Sequence, residues 1–261
     1  MIQSKTASQA WLLSLQDILT ADYVVPTRQG LTLELLAQTH VIDMRYPFIT
    51  VTKRNLNFRY IFNEARWVMS GSNSLDFSES IGKTQGPYSQ DKMYMQGAYG
   101  PKWVDQLPYV LEVLKDDPLS RQAVISIWHA RPRVNSDIPC TTQMQFLIRR
   151  NQLHCMVTMR SSDAWLGRPN DWGVFALLST EVLYRLNMPG LILGDLHVTS
   201  ASSHLYEKDL IDAEHVLKED TIVSALPFAP HEHSFANFRA WLHAGAIMDR
   251  KDSWEHVIGG M

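Results

Sequence analysis

The run "RSSDAWLGRPND", Arg160 to Asp171, decides how the rest of the chain is read. It packs a cation, hydroxyls, two carboxylates, an amide and glycine and proline breakers into one short stretch. A segment made only for the core does not have this composition. Arg160 and Ser161 close an alternating strand and open a turn. Locally they read either as a surface arginine with a turn serine or as phosphate donors, because a guanidinium offers planar, multidentate donors and serine adds a hydroxyl. Asp163 reads as a turn or cap residue. Gly167 and Pro169 shape a loop that ends at Asp171. The plain reading of Asp171 is a helix N-cap before "WGVFALL".

Downstream of this run, "DWGVFALLSTEVLYRLN" has the pattern of the longest helix in the chain. It is followed by a strand at "GLILGDLHVTSA" and a helix at "SSHLYEKDLIDAEHVLK". Upstream, "QAVISIWHA", "TTQMQFLIRR" and "QLHCMVTMRSSD" read as three strands, the last two joined by a turn at Arg150-Asn151. Towards the N-terminus, "PYVLEVLKDDP" reads as a helix and "LNFRYIFNEARWVMSGS" as an amphipathic helix ended by Gly71. "LTLELLAQTHVID" and "FITVTKR" read as strands, and residues 7–20 as an opening helix. No composition shift marks a linker. The expected fold is α+β, a single domain over residues 1–261 in which helices cover a mixed sheet.

Bulk properties narrow the function. A chain of 261 residues, 45% hydrophobic and 20% charged, is able to bury a large core. A formal net charge of −3 argues against nucleic acid as the main ligand. Only two cysteines, Cys140 and Cys155, rule out a disulfide scaffold and a CxxC metal pattern. No secretory leader and no apolar run long enough for a membrane span is visible, so the expected location is the cytoplasm.

Three positions invite chemistry. Cys140 follows a proline at a strand start, where a thiol can face a cleft. A lone cysteine is more often a small core hydrophobe, and a reactive one needs positive charge nearby. Arg121 and Arg160 are the candidates for that charge. Glu64 lies among apolar neighbours in "FNEARWVM" and reads either as a buried carboxylate needing a partner or as an exposed helix position. His197, in "GDLHVTS", reads as a core histidine, since no spaced partner completes a zinc pattern and no metal is expected.

Taken in order, these pieces resemble the thymidylate synthase family. "NEARWVMSGSNSL" is similar to the helix bearing that family's glutamate. "GAYGPKW" is similar to its Tyr-Gly-x-x-Trp segment and "DPLSRQAVISIW" to its Asp-Pro-x-Ser-Arg-Arg segment. "IPC" is similar to the nucleophile turn, "GDLH" to the sugar-binding strand, and "RSSDAWLGRPND" to the Arg-Ser-x-Asp-x-x-x-Gly-x-Pro-x-Asn signature. The resemblance implies that Cys140 attacks C6 of a pyrimidine, that Glu64 manages ordered water and proton transfer, and that Tyr99 helps remove the C5 proton. It implies that Arg160, Ser161 and Arg28 hold the 5′-phosphate and that Arg121 reaches the phosphate in the partner subunit of a homodimer with shared sites. Asn170 and His197 join the substrate contacts. Asp163 and Gly167 join those to folate, and 5,10-methylenetetrahydrofolate is the implied co-substrate.

The departures from the signature are informative. Its last residue, Asn in thymidylate synthases, is Asp171 here. Gln122 replaces the second Arg of the Arg-Arg pair, Thr141 follows the nucleophile in place of His, and Thr199 stands where the sugar strand has Tyr. A carboxylate at position 171 suits cytosine, with its N4 donor, better than uracil, with its O4 acceptor. The chain is here similar to phage deoxycytidylate hydroxymethylases. The expected reaction is hydroxymethylation of C5 of dCMP. The alternatives are the same reaction on CMP, reduction to 5-methyl-dCMP, dUMP methylation, and a non-catalytic nucleotide- or RNA-binding descendant of the fold.

Overall fold

The computed structural model describes residues 1–80, 89, 91–130, 137–218, 227–228 and 235–248. Its strands are β1 (Ile2–Ser4), β2 (Tyr23–Thr27), β3 (Gly30–Asp43), β4 (Val124–Ser126), β5 (Thr141–Arg149), β6 (Gln152–Asp163) and β7 (Ile192–Tyr206). They form one seven-stranded sheet in the order β1-β3-β7-β6-β5-β4, with β2 also paired to β3. The β1–β3 and β6–β7 pairs are parallel and the others antiparallel, so the sheet is mixed, as the sequence predicts. Arg150 and Asn151 both take left-handed φ, 53° and 57°. That is the backbone a tight two-residue β5–β6 hairpin requires.

The helices are α1 (Ala7–Leu19), α2 (Phe58–Ser70), α3 (Leu75–Ser80), α4 (Gly100–Asp116), α5 (Gly167–Leu186), α6 (Leu210–Lys218) and α7 (Phe235–Ile247). No described helix is long and apolar enough to cross a membrane. The sheet buries Leu153, Cys155, Val157 and Met159 of β6 and Leu193, Leu196 and Val198 of β7 on one face. The alternate residues, His154, Met156, Asp195, His197 and Thr199, stay half-buried on the other face. α5 is buried nearly all round, polar residues included. Its burial is tolerable because those polar groups are satisfied. Ser179 and Thr180 donate to carbonyls one turn back, and Glu181 accepts from Trp103 and Arg185 at 2.8 Å each. Gly173 lets α2 cross α5 closely, since a Cβ there would sit 2.9 Å from Ile61 and 3.2 Å from Phe48. That approach sets Tyr60 and Glu64 of α2 opposite the start of α5.

Several boundaries differ from those read in sequence. Residues "TKR" of "FITVTKR" form a 3-10 turn, Thr52–Arg54, in place of a strand. The first strand after α4 is only Val124–Ser126. "SSHLY" continues β7 instead of opening a helix: Ser203 and Leu205 are buried while Ser202, His204 and Tyr206 are half-buried, a period of two. α4 begins at Gly100, with Pro101 in its first turn and Pro108 inside it. Pro101 fits there because a first-turn N–H has no helical acceptor. Pro108 is carried by the buried stripe Trp103, Leu107, Val110 and Leu114. α5 begins at Gly167, so Asp171 is its fifth residue and not its N-cap.

Candidate active site

A cavity of about 630 Å³ opens where α2, the 95–99 loop, the 137–140 loop, the end of β6 and the start of α5 meet. It brings together Glu64, Tyr99, Cys140, Ser161, Asp163, Gly167, Asn170 and Asp171, eight of the twelve positions singled out in sequence. The turn into α5 is built by Asp163. Its Oδ1 accepts from the amides of Trp165 (2.8 Å) and Leu166 (3.1 Å), so the turn reading of Asp163 holds and its carboxylate still borders the cavity. Gly167 then lies between two carboxylates. A Cβ on it would be 3.4 Å from Asp171 Oδ2 and 3.7 Å from Asp163 Cβ. Asn170 turns back on its own helix, donating to Leu166 O at 2.7 Å.

Cys140 is exposed, on the cavity wall, at the residue before β5. Arg160 straps this loop. Its Nε donates to Pro139 O and its Nη2 to Ile138 O, both at 3.0 Å, and Nη2 lies 3.8 Å from Cys140 Sγ. The Arg160 amide also donates to Cys140 O at 2.8 Å. A cation therefore stands beside the sulfur, where it favours the nucleophilic thiolate. Cys155 is the opposite case. It is fully buried in the core, and burial pushes its thiol up to about 12.

The opposite wall is acidic. Tyr60, one helical turn before Glu64, hydrogen-bonds the Glu64 carboxylate. Burial first, then Glu64 and Asp171, hold the Tyr60 phenol protonated well above its usual range. Tyr99 is fixed by the residue after the nucleophile. Its hydroxyl donates to Thr141 Oγ1 at 3.0 Å and accepts from the Thr141 amide at 3.2 Å. Burial, with the nearby Asp171 and Cys140, raises the Tyr99 pKa far above that of a free phenol. In this state Tyr99 is a neutral hydrogen-bonding group.

Four predicted residues lie off this cavity. Arg28 sits in the exposed β2–β3 turn and Arg121 in the exposed segment before β4. Arg160 lines a neighbouring cavity of about 360 Å³ with Ser126, Trp128, Ala130, Thr142 and Gln143. His197 is on the open face of the sheet, beside His154 and Asp195, with donor atoms of the three within 4.8 Å of one another. Sequence spacing hid His154, because strand pairing supplies that neighbour. The lone pair of His154 Nδ1 already accepts the Asp195 amide at 3.0 Å. Sequence reasoning missed Arg54, Asn57, Tyr60 and Asp137, all on the wall of the main cavity. Tyr60 was recoverable from its four-residue spacing to Glu64, and Arg54 from the polar break "TKRN" before α2.

Sequence comparison bears on this geometry. The thymidylate synthase family profile matches residues 9–241. The chain belongs to that family, whose members carry out folate-dependent one-carbon transfer to a pyrimidine nucleotide, use methylenetetrahydrofolate and are typically dimers. Among its relatives is the thymidylate synthase of Buchnera aphidicola subsp. Baizongia pistaciae (strain Bp), 24% identical over 219 residues that cover 79% of this chain and 82% of that protein.

Proposed function

We propose that this enzyme hydroxymethylates C5 of dCMP, taking the one-carbon unit from 5,10-methylenetetrahydrofolate and the hydroxyl from water. The observation that carries the reading is Asp171, a carboxylate on the cavity wall where the family signature has Asn. An ionised Asp171 accepts from cytosine N4–H and from a protonated N3, while O4 of uracil repels it. Attack of sulfur at C6 raises electron density at N3, so this contact strengthens as the adduct forms.

The donor set suits the folate co-substrate. Leu56, Trp67, Val68 and Met95 give the cavity an apolar wall, and Asn57 Oδ1 is a buried acceptor with no hydrogen-bond partner among the described residues. A flat heteroaromatic ring with N–H donors matches both features. When bound, the folate supplies an electrophilic methylene. In the proposed sequence the Cys140 thiolate adds to C6 and C5 forms a bond to that methylene carbon. The C5 proton leaves through water held by Glu64 and Tyr60, and tetrahydrofolate departs. Water adds to the exocyclic methylene, and sulfur is expelled from C6. The 5′-phosphate is assigned to Ser161, on the wall of the main cavity, and to Arg160, whose guanidinium lies beside Cys140. The partner subunit's Arg121 completes that site in a homodimer.

Incubation with methylenetetrahydrofolate and dCMP, CMP or dUMP in turn, with products weighed by mass spectrometry, tests this reading. The expected product is dCMP plus the mass of CH2O. An equal or faster reaction of CMP moves the assignment to the ribonucleotide, a gain of CH2 alone moves it to methylation, and turnover of dUMP alone refutes it. Asp171→Asn should cut dCMP turnover and raise that of dUMP.

A further inference from the structure

A separate cavity of about 320 Å³ lies on the other side of α2 from the main one. The main cavity takes Tyr60, Glu64, Trp67 and Val68 from that helix, and this one takes Arg66, Met69 and Ser70. At about 100° of turn per residue the two sets face opposite ways. The rest of its wall comes from α3, α5 and α7, and no residue lines both cavities.

The chain carries a net charge of −3, yet this wall is cationic. Arg66, Arg185, Arg239 and His243 line it, against one carboxylate among the described residues, Glu181. That carboxylate is already committed. Its Oε1 accepts from Nε and Nη2 of Arg185, both at 2.8 Å, and its Oε2 accepts from Trp103 Nε1 at 2.8 Å. Its side chain is 4% exposed, so it is not free to serve another cation. Glu181 therefore balances Arg185 and leaves the charges of Arg66 and Arg239 unanswered by any ion pair among the described residues. Arg185 and Arg239 stand against the same ring, Phe235, with guanidinium carbons 5.1 and 6.0 Å from its centroid. Cations gathered round one ring repel one another. An anion among them replaces that repulsion by attraction, and the walls of a cleft focus the field on it.

Charge and shape select the ligand. Guanidinium forks offer paired donors that match phosphate oxygens. Two unbalanced positive charges match a phosphate monoester, which carries about −1.5 to −2 at pH 7. Met69, Phe77 and Leu242 supply an apolar wall for the organic part of such a molecule. The volume suits a small ligand rather than a protein segment.

We propose that this pocket binds a small phosphate monoester with an apolar or aromatic body, at a site separate from the reaction. The proposal does not depend on which base the main cavity takes. Its test is titration calorimetry of the full chain with phenyl phosphate, and with phenyl sulfate, which has the same shape and a single negative charge. Phenyl phosphate is expected to bind with a Kd below about 1 mM, and phenyl sulfate about tenfold more weakly. Arg66→Gln and Arg239→Gln should each weaken phenyl phosphate by about tenfold. Arg239 is exposed, so its variant carries the test if Arg66→Gln does not fold. Arg160→Gln, on the nucleophile loop, should leave this affinity unchanged. Absence of phenyl phosphate binding in the wild type overturns the proposal. So does binding that Arg160→Gln abolishes and Arg239→Gln keeps, which places the anion at the main cavity. Equal affinity for phenyl sulfate overturns the assignment to a phosphate monoester.

Discussion

Replacing Arg160 by lysine keeps a cation at the nucleophile loop and removes the fork that ties the loop down. The guanidinium meets Ile138 O and Pro139 O at 3.0 Å each while lying 3.8 Å from Cys140 Sγ. A lysine ammonium is a compact charge on a flexible stem and cannot span both carbonyls in one plane. Arg160 is exposed, so each bond is valued at the low end of the range, about 1 kcal/mol. Losing two of them removes about 2 kcal/mol of loop order. If the ordered loop is the reactive one, that is about a 30-fold loss of rate. The expected result for Arg160→Lys is a fall of about 30-fold in kcat, with a smaller rise in KM because the charge facing the phosphate is retained. Alkylation of Cys140 by iodoacetamide, which needs no nucleotide, should slow by a comparable factor. Unchanged kcat and alkylation with a raised KM would refute the strap and leave Arg160 a phosphate ligand alone.

Other consequences follow from single contacts. Native protein treated with iodoacetamide at neutral pH should gain one adduct, on Cys140, and Cys140→Ala none, because Cys155 is buried and its thiol is pushed up to about 12; two adducts before unfolding would contradict the packing. Gly100→Ala should cost about 1–3 kcal/mol of stability, read as a lower urea midpoint, since its Cβ would lie 2.8 Å from Ser72 O and 3.0 Å from the Gly71 carbonyl carbon, backbone atoms that cannot swing away. His40 is buried against Trp172, 5.1 Å between rings, and burial, helped by Arg168, lowers it to about 2. The unfolded chain then binds a proton there that the folded one does not. Its share of stability is complete above pH 6.5 and falls as pH drops towards 2, by up to about 1.4 kcal/mol per pH unit. His197 and His204, also lowered by burial, add slope of the same sign. His40→Phe should flatten the dependence between about pH 6 and 5, measured by urea titration, and an unchanged slope would rule His40 out as its source.

The elements legible in sequence are those whose periodicity survives in the burial pattern. In β6 the buried residues Leu153, Cys155, Val157 and Met159 alternate along the strand, and α2 buries Phe58, Ile61, Phe62, Ala65 and Val68 at helical spacing. What failed to read had a competing local signal. Pro108 marked a helix start because a proline in mid-helix forfeits a hydrogen bond, yet α4 runs through it on tertiary packing. The serines of "SSHLY" favour turns and caps, but inside β7 they are held by neighbours remote in sequence, Ser202 by Glu34 and Ser203 by Gln38 and Arg168. β1 and β2 are three and five residues long, and β2 is largely exposed, which leaves no apolar alternation to find.

The site divides along the same line. The signature run was legible because its residues act close to where they stand, with Asp163 making the turn and Gly167 separating two carboxylates. Arg160 was legible as a candidate cation for Cys140 but not as the strap of its loop, because the carbonyls it holds, Ile138 O and Pro139 O, leave no mark in side-chain pattern. Arg168 left the least trace of all. One arginine in a polar run gives no sign that it turns inward onto serines from α1, β6 and β7. Those three hydroxyls satisfy its donors, a set of partners that only the folded chain assembles.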